Sequence, residues 1–262
     1  GSRRADALSA SPHSAGVIAF NWCVSRTLPA LRHHNVFLSS AGRTAWARAT
    51  SPGGLQRSPN FYVHVPTRTD ASAAPAGCES VMVLVPVANL QEMAAAAGMP
   101  PLHLARHEGG CTSGGDGIGD SGGGDVAGTN ATRLAAGRSG GGTGAYSALV
   151  SAAREAVLQT LADAGVAETV DSLRASIVRE LVMEPEGWAA RYGLSHGAAF
   201  GLSHGLGQLA AFRPALRDAR VGGLYFAGAS ARPGNGVPLV MIGADLCVQR
   251  VLEDLGKQGK AD

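Results

Sequence analysis

The chain has 262 residues, 45% of them hydrophobic and 16% charged, with a formal net charge of +2. That balance excludes a disordered chain and leaves room for one large core or two smaller ones. The basic residues are scattered singly, so no nucleic-acid partner is expected. Cys23, Cys78, Cys111 and Cys247 lie far apart with no C-x-x-C pair, which argues against both a zinc site and a disulfide framework and is compatible with a reducing compartment. Gly1 to Ala10 has no apolar core, so no signal peptide is expected there. The absence of an initial Met points to residues missing before Gly1. Apolar runs fall short of the roughly 20 residues of a membrane helix.

Val17 to Val24 places Ile18, Phe20, Trp22 and Val24 on one face at strand spacing. Asn35 to Leu38 is a shorter strand candidate, and Phe61 to Val65 alternates again. Val81 to Val87 is almost wholly apolar, which predicts a strand buried on both faces and ended by Pro86. These four segments predict a largely antiparallel sheet with one covered face. Gly109 to Gly144 then holds 15 of the 37 glycines. Such a segment buries too little apolar area to offset its ordering entropy, so a disordered insertion is expected there. Its Asn130-Ala131-Thr132 sequon carries no weight without a secretory signal. Leu149, Ala153, Ala156, Val157, Thr160 and Leu161 recur at helical spacing, with Gly165 placed to end the helix. Ala175 to Val182 alternates as a strand, and Pro185 opens a short helix through Trp188. Gly223 to Ala227 reads as a short strand. A helix follows from Val237, with Val240, Met241, Ala244, Val248, Val251 and Leu252 as its expected buried stripe.

Three motif matches carry no chemistry. Gly117 to Gly122 fits G-x-G-x-x-G but lies in glycine-rich filler, without the strand before and helix after that a dinucleotide site requires. Gly193 to Gly197 and Gly201 to Gly205 fit the G-x-S-x-G nucleophile elbow around Ser195 and Ser203. No histidine follows His204, and no Asp or Glu lies between Ser195 and His204, so a hydrolase triad cannot be completed in that order. His33 and His34 are adjacent and expected to point apart, and His196 and His204 lack a carboxylate or cysteine at ligand spacing, so no metal site is expected.

The stretch that does suggest chemistry is GLYFAGASARPGNGVPLVMIGADL, residues 223–246. A strand would deliver Gly228 at its carboxyl end, and the loop to Gly236 would lead into a helix with Pro238 in its first turn. Free amides there favour a phosphate or an electron-rich ring edge. On the residues alone, a ligand site and an ordinary glycine-made turn both remain open.

The segment GASARPGNGVP resembles the C-terminal FAD-binding motif of the bacterial and fungal type of phytoene desaturase, in the amine-oxidase-like flavoprotein superfamily. The family pattern is G-A-S-T-x-P-G-x-G-V-P, and Ala231 stands where Thr is usual. The segments His196 to Pro214, Phe61 to Val87 and VIAFNWCVSRTLPALRHHNVFLS, which opens at Val17, resemble the family in order and spacing. The resemblance implies an α/β (α+β) chain, partial for that family. Residues 11–108 would supply strands of a mixed or antiparallel substrate-domain sheet, and 109–144 would be the insertion. Residues 145–222 would complete the substrate domain, and 223–256 would be the strand-turn-helix of the FAD domain. The family's N-terminal Rossmann unit has no counterpart upstream of Ser11. It further implies desaturation of a polyene by hydride transfer to FAD, with Gly228, Ala229, Gly236, Val237, Pro238 and Met241 at the cofactor. His204, Gln208 and Arg213 would lie near flavin and substrate, and no acid or base can be named. Phe61, Val63, Val81 and Val83 would line a lipid tunnel or serve as core. Extraction of a carotenoid implies peripheral contact with a membrane, in a bacterial inner membrane or a plastid. A carotenoid isomerase, a retinol saturase and an inactive remnant are the alternatives.

Overall fold

The computed structural model describes residues 11–99 and 146–258, with side chains to residue 256. The glycine-rich segment 109–144, with its G-x-G-x-x-G match, Asn130 and Cys111, lies outside the described residues.

Strands β1 (Gly16–Val24), β2 (His34–Phe37), β3 (Phe61–His64) and β4 (Glu79–Val87) precede helix α1 (Leu90–Ala96). Helices α2 (Ser147–Asp163) and α3 (Val170–Ser176), strand β5 (Ile177–Met183) and helix α4 (Pro185–Tyr192) follow, and α5 (Val237–Gln258) comes last. The sheet is open, in the order β2-β3-β4-β1-β5, and every neighbouring pair is antiparallel.

Alternation sets the buried face. Ile18, Phe20, Trp22 and Val24 of β1 and Val81, Val83, Val85 and Val87 of β4 join one core with Leu149, Ala153, Val157, Leu158 and Leu161 of α2. Each fully buried side chain of this size contributes about 1.5–3 kcal/mol. The expected double burial of β4 does not hold. Ser80, Met82 and Leu84 are only half-buried and Pro86 is exposed, because among the described residues no helix covers the sheet's second face there as α2 covers the first. Nor does Pro86 end the strand, which continues to Val87. β3 pairs with β4 only from Met82 to Leu84, so the missing amide of Pro86 opens no gap in that ladder.

Helix ends follow local chemistry. The Asn89 carboxamide accepts from the Glu92 amide while the Glu92 carboxylate accepts from the Asn89 amide, a reciprocal cap that starts α1. Thr169 caps α3 through the Ser172 amide, so Ala175 and Ser176 are helical and β5 begins two residues later than its alternation predicts. Gly165 takes φ +74° just past α2, as expected of a helix stop. Tyr146, at the start of α2, donates its hydroxyl to the Ala88 carbonyl at 2.8 Å and so ties that helix to the end of β4.

Two expectations near the C-terminus are overturned. Residues 223–227 form no strand; Tyr225 makes only an isolated antiparallel bridge to Arg217. A short apolar segment without a neighbouring strand has no ladder to join. The α5 helix forms as expected, but its apolar stripe is not buried. Met241, Val248 and Leu252 are 67%, 56% and 62% exposed, and Ala244 is exposed too. Val240 and Val251 are half-buried, and among the described residues nothing covers the rest of that face.

Candidate functional site

Residues 228–236 form the turn that leads into α5. Gly228 (φ +111°), Gly234 (φ +151°) and Gly236 (φ +93°) all occupy backbone conformations that side chains oppose. A Cβ at Gly228 or Gly236 would meet nothing within 4 Å, so conformation rather than crowding demands glycine there. Gly243 answers to space instead. A Cβ there would stand 2.9 Å from the Arg232 carbonyl oxygen, so its absence lets α5 lie against the loop.

The turn is braced from beneath by the segment around Arg213. That side chain is buried, and its Nη1 donates to the Ala229 carbonyl at 2.8 Å. In return Arg232 donates its amide to the Pro214 carbonyl at 3.1 Å and its Nε to the Arg213 carbonyl at 3.0 Å. Nη2 of Arg213 is buried with no hydrogen-bond partner. Burial also pushes this guanidinium below its ordinary pKa. A buried cation with an unmet donor is costly alone and favours an anionic or carbonyl-rich neighbour.

Beside the turn lies an open concavity of about 350 Å³, lined by Ala199, Phe200, Ala229, Asn235, Gly236, Val237, Val240 and Met241. Small-molecule sites span roughly 300–1,000 Å³ and are mostly apolar with a few polar groups, as here. Four of the expected cofactor residues, Ala229, Gly236, Val237 and Met241, therefore share one wall, while Gly228 and Pro238 flank it. His204 Nε2 lies 2.7 Å from Asn235 Oδ1, which connects it to the rim. Gln208 accepts from the Ser203 hydroxyl at 2.5 Å and braces its own loop.

Ala199, Phe200 and Asn235 belong to this surface and were not expected. Asn235 had a readable signal, as the polar residue between two glycines of the turn. Phe200 arrives through tertiary contact: the Ser14 amide donates to the Gly201 carbonyl at 2.9 Å, and the Ser14 hydroxyl accepts from the Phe200 amide at 3.0 Å.

Other candidates resolve differently. Phe61, Val63, Val81 and Val83 are all buried in the core, and none of them lines the concavity beside the turn. Ser203 is engaged with Gln208 and His204 with Asn235, so this pair is not arranged as nucleophile and base. The expectation that His33 and His34 diverge is wrong. Their ring centroids lie 4.3 Å apart, because His33 precedes β2 and is not held to the strand's alternation. Cys23, Cys78 and Cys247 are free thiols.

No protein-family model matches the chain. Among known proteins it is similar to carotenoid desaturases over most of its length. It is 32% identical over 255 residues to the phytoene desaturase of Fusarium fujikuroi, covering 96% of this chain and 38% of that protein. Against the phytoene desaturase of Neurospora crassa it is 31% identical over 241 residues, 92% of this chain and 32% of that one. Against the zeta-carotene-forming phytoene desaturase of Myxococcus xanthus it is 30% identical over 237 residues, 90% and 35% of the two chains. The chain thus spans about a third to two-fifths of the length of the curated relatives it matches. The resemblance first read from the Gly228–Pro238 motif extends across both described segments.

Proposed function

We propose that this chain is the substrate-domain and flavin-edge portion of an FAD-dependent carotenoid desaturase, with the amine-oxidase-like fold completed by polypeptide outside it. The observation that carries the reading is the glycine turn with its concavity, set in a chain similar to phytoene desaturases along most of its length. The residues present fit a flavin. Gly228 and Gly236 leave open space where a planar ring can approach the backbone, and the orphaned Nη2 of Arg213 offers a donor beneath the turn. Ala229, Gly236, Val237 and Met241 would hold the ring edge, with Gly228 and Pro238 shaping the approach.

FAD, when bound, supplies a hydride acceptor for an allylic C–H of a polyene. The chain's own part is to orient and to exclude water. Phe200, Val237, Val240 and Met241 offer an apolar wall for a hydrocarbon, while Asn235 and His204 place polar groups at its rim. His204, Gln208 and Arg213 act here as positioning groups. The exposed apolar face of α5 fits a helix that meets the remainder of the flavin domain. A polyene resides in lipid, so the reading includes peripheral contact with a membrane surface, in a bacterial inner membrane or a plastid. No helix among the described residues is long and apolar enough to cross a bilayer. The names of the relatives favour desaturation over isomerisation or retinol saturation.

The test is flavin fluorescence anisotropy as the chain is added to FAD. We expect a saturable rise that weakens at least tenfold in Gly236→Val, since φ +93° costs a β-branched residue about 1–3 kcal/mol and its methyls enter the concavity. Equal binding by the variant would remove this turn from the flavin site, whereas no rise would deny the isolated chain a flavin site of its own and leave the inactive-remnant reading for this form.

A further inference from the structure

The sheet's open face carries a second cluster that shares no residue with the glycine turn. His34 on β2 is directly opposite His64 on β3, so both rings project from the same face. His33, in the turn just before β2, folds its ring onto both, with centroids 4.3 Å from His34 and 4.7 Å from His64. One nitrogen from each of the three lies within 4.8 Å of the others. The Nε2 atoms of His33 and His64 are already 2.9 Å apart.

Neighbouring hydroxyls also hold ring nitrogens of His33 and His34. His33 Nδ1 contacts the Thr69 hydroxyl, and His34 Nδ1 lies 2.6 Å from the Tyr62 hydroxyl. With the proton on Nδ1 in each, both hydroxyls accept and each Nε2 keeps a free lone pair, that of His33 facing His64. Metal-binding histidines are oriented in this way, the second ring nitrogen donating to a neighbour that fixes the tautomer. Lone pairs brought this close repel unless a proton or a cation sits among them. A proton on His64 Nε2 can bridge to His33, but it leaves His34 without a share.

We propose that His33, His34 and His64 bind one divalent transition-metal ion of the zinc, cobalt or copper kind, with solvent completing the coordination. Imidazole suits these ions, and three protein ligands plus water is an open tetrahedral site. Metal–nitrogen distances of about 2.05 Å require nitrogen separations of about 3.3 Å. His33 and His64 must open by about 0.4 Å, and His34 must close by at most about 1.5 Å. The exposure of His34 gives it the freedom to move. The ion would pin the turn before β2 to the four-residue edge pair β2–β3.

The experiment is titration of the chelator-stripped full chain with Co²⁺, followed by visible absorption, and then competition with Zn²⁺. We expect saturation at about one ion per chain with the intense visible bands of a tetrahedral centre. His34→Ala, at an exposed position, should lose at least tenfold in affinity, and Tyr62→Phe roughly tenfold through lost orientation. Cys23→Ala, which removes an exposed thiol elsewhere on the sheet, should change nothing. Circular dichroism of each variant separates lost binding from lost folding. Absence of saturable uptake, or uptake unchanged in a folded His34→Ala or His64→Gln chain, would reduce the cluster to hydrogen-bonded histidines and overturn the proposal.

Discussion

Replacing Arg68 with methionine strips the only charge set against Glu79 among the described ion pairs. The Glu79 side chain is 1% exposed and its Oε1 lies 2.7 Å from Arg68 Nη1. The same guanidinium donates to the Leu31 carbonyl at 2.7 Å and the Leu28 carbonyl at 2.6 Å, locking the loop after β1 to the start of β4. Removing one partner of a buried pair costs about 3–5 kcal/mol, because the carboxylate remains without compensation. The abandoned carbonyls add about 1 kcal/mol, since the Leu28 oxygen keeps the Leu31 amide. A loss of about 4–6 kcal/mol consumes much of an ordinary domain's 5–15 kcal/mol. The exposed pair Arg174–Glu155, although 2.5 Å long, should give at most about 1 kcal/mol. The assay is urea unfolding of Arg68→Met, Glu79→Gln and the double variant, with Arg174→Ala as control. The double variant should recover at least about 2 kcal/mol of the summed single losses, as expected for directly coupled groups. A loss below about 1 kcal/mol for Arg68→Met, or full additivity, would refute the account of a buried, coupled pair.

Two further perturbations follow from buried polar groups. Tyr146→Phe deletes the hydroxyl that caps the Ala88 carbonyl and should lower stability by about 1–2 kcal/mol, read as a shift in urea midpoint with unchanged slope. His13 is held below the ordinary imidazole value by burial first and by the nearby His196 second. The folded chain thus refuses a proton that the unfolded chain accepts. The stability from neutral His13 is complete above about pH 6.5 and is lost progressively as pH falls below it. His64 is shifted in the same direction, so His13→Gln should flatten only part of the decline in unfolding midpoint between pH 7.5 and 5.5. A variant with the unaltered pH profile would show that His13 carries none of it.

The sheet was legible because β1 and β3 place apolar residues at every second position, and that period has a single structural meaning. Where the sequence misled, a neighbour decided the outcome. Met82 and Leu84 read as buried by composition, yet they face the uncovered side. The cap at Asn89 and Glu92 is written in the sequence as N-x-x-E, directly after the apolar β4 run. In the site, the glycines announced the turn, and the wall contributed by Ala229, Gly236, Val237 and Met241 followed from the motif. The bracing by Arg213 and the arrival of Phe200 depend on chain segments that meet only in three dimensions, so no local pattern records them. The stripe of α5 was found by its period, but periodicity says only that a face is apolar. It does not say that its cover lies among these residues.

The interior place of β1, between β4 and β5, has a consequence in time. One of its edges pairs with β4, and the other pairs with β5, whose residues 177–183 are synthesised some 160 positions later. During translation at about 5–20 residues per second, the second edge waits roughly ten to thirty seconds for its partner. Throughout that interval a strand carrying Ile18, Phe20, Trp22 and Val24 presents unpaired amides and carbonyls to any other extended chain nearby. That edge therefore stays open to mispairing until β5 emerges, whatever the mature protein's stability.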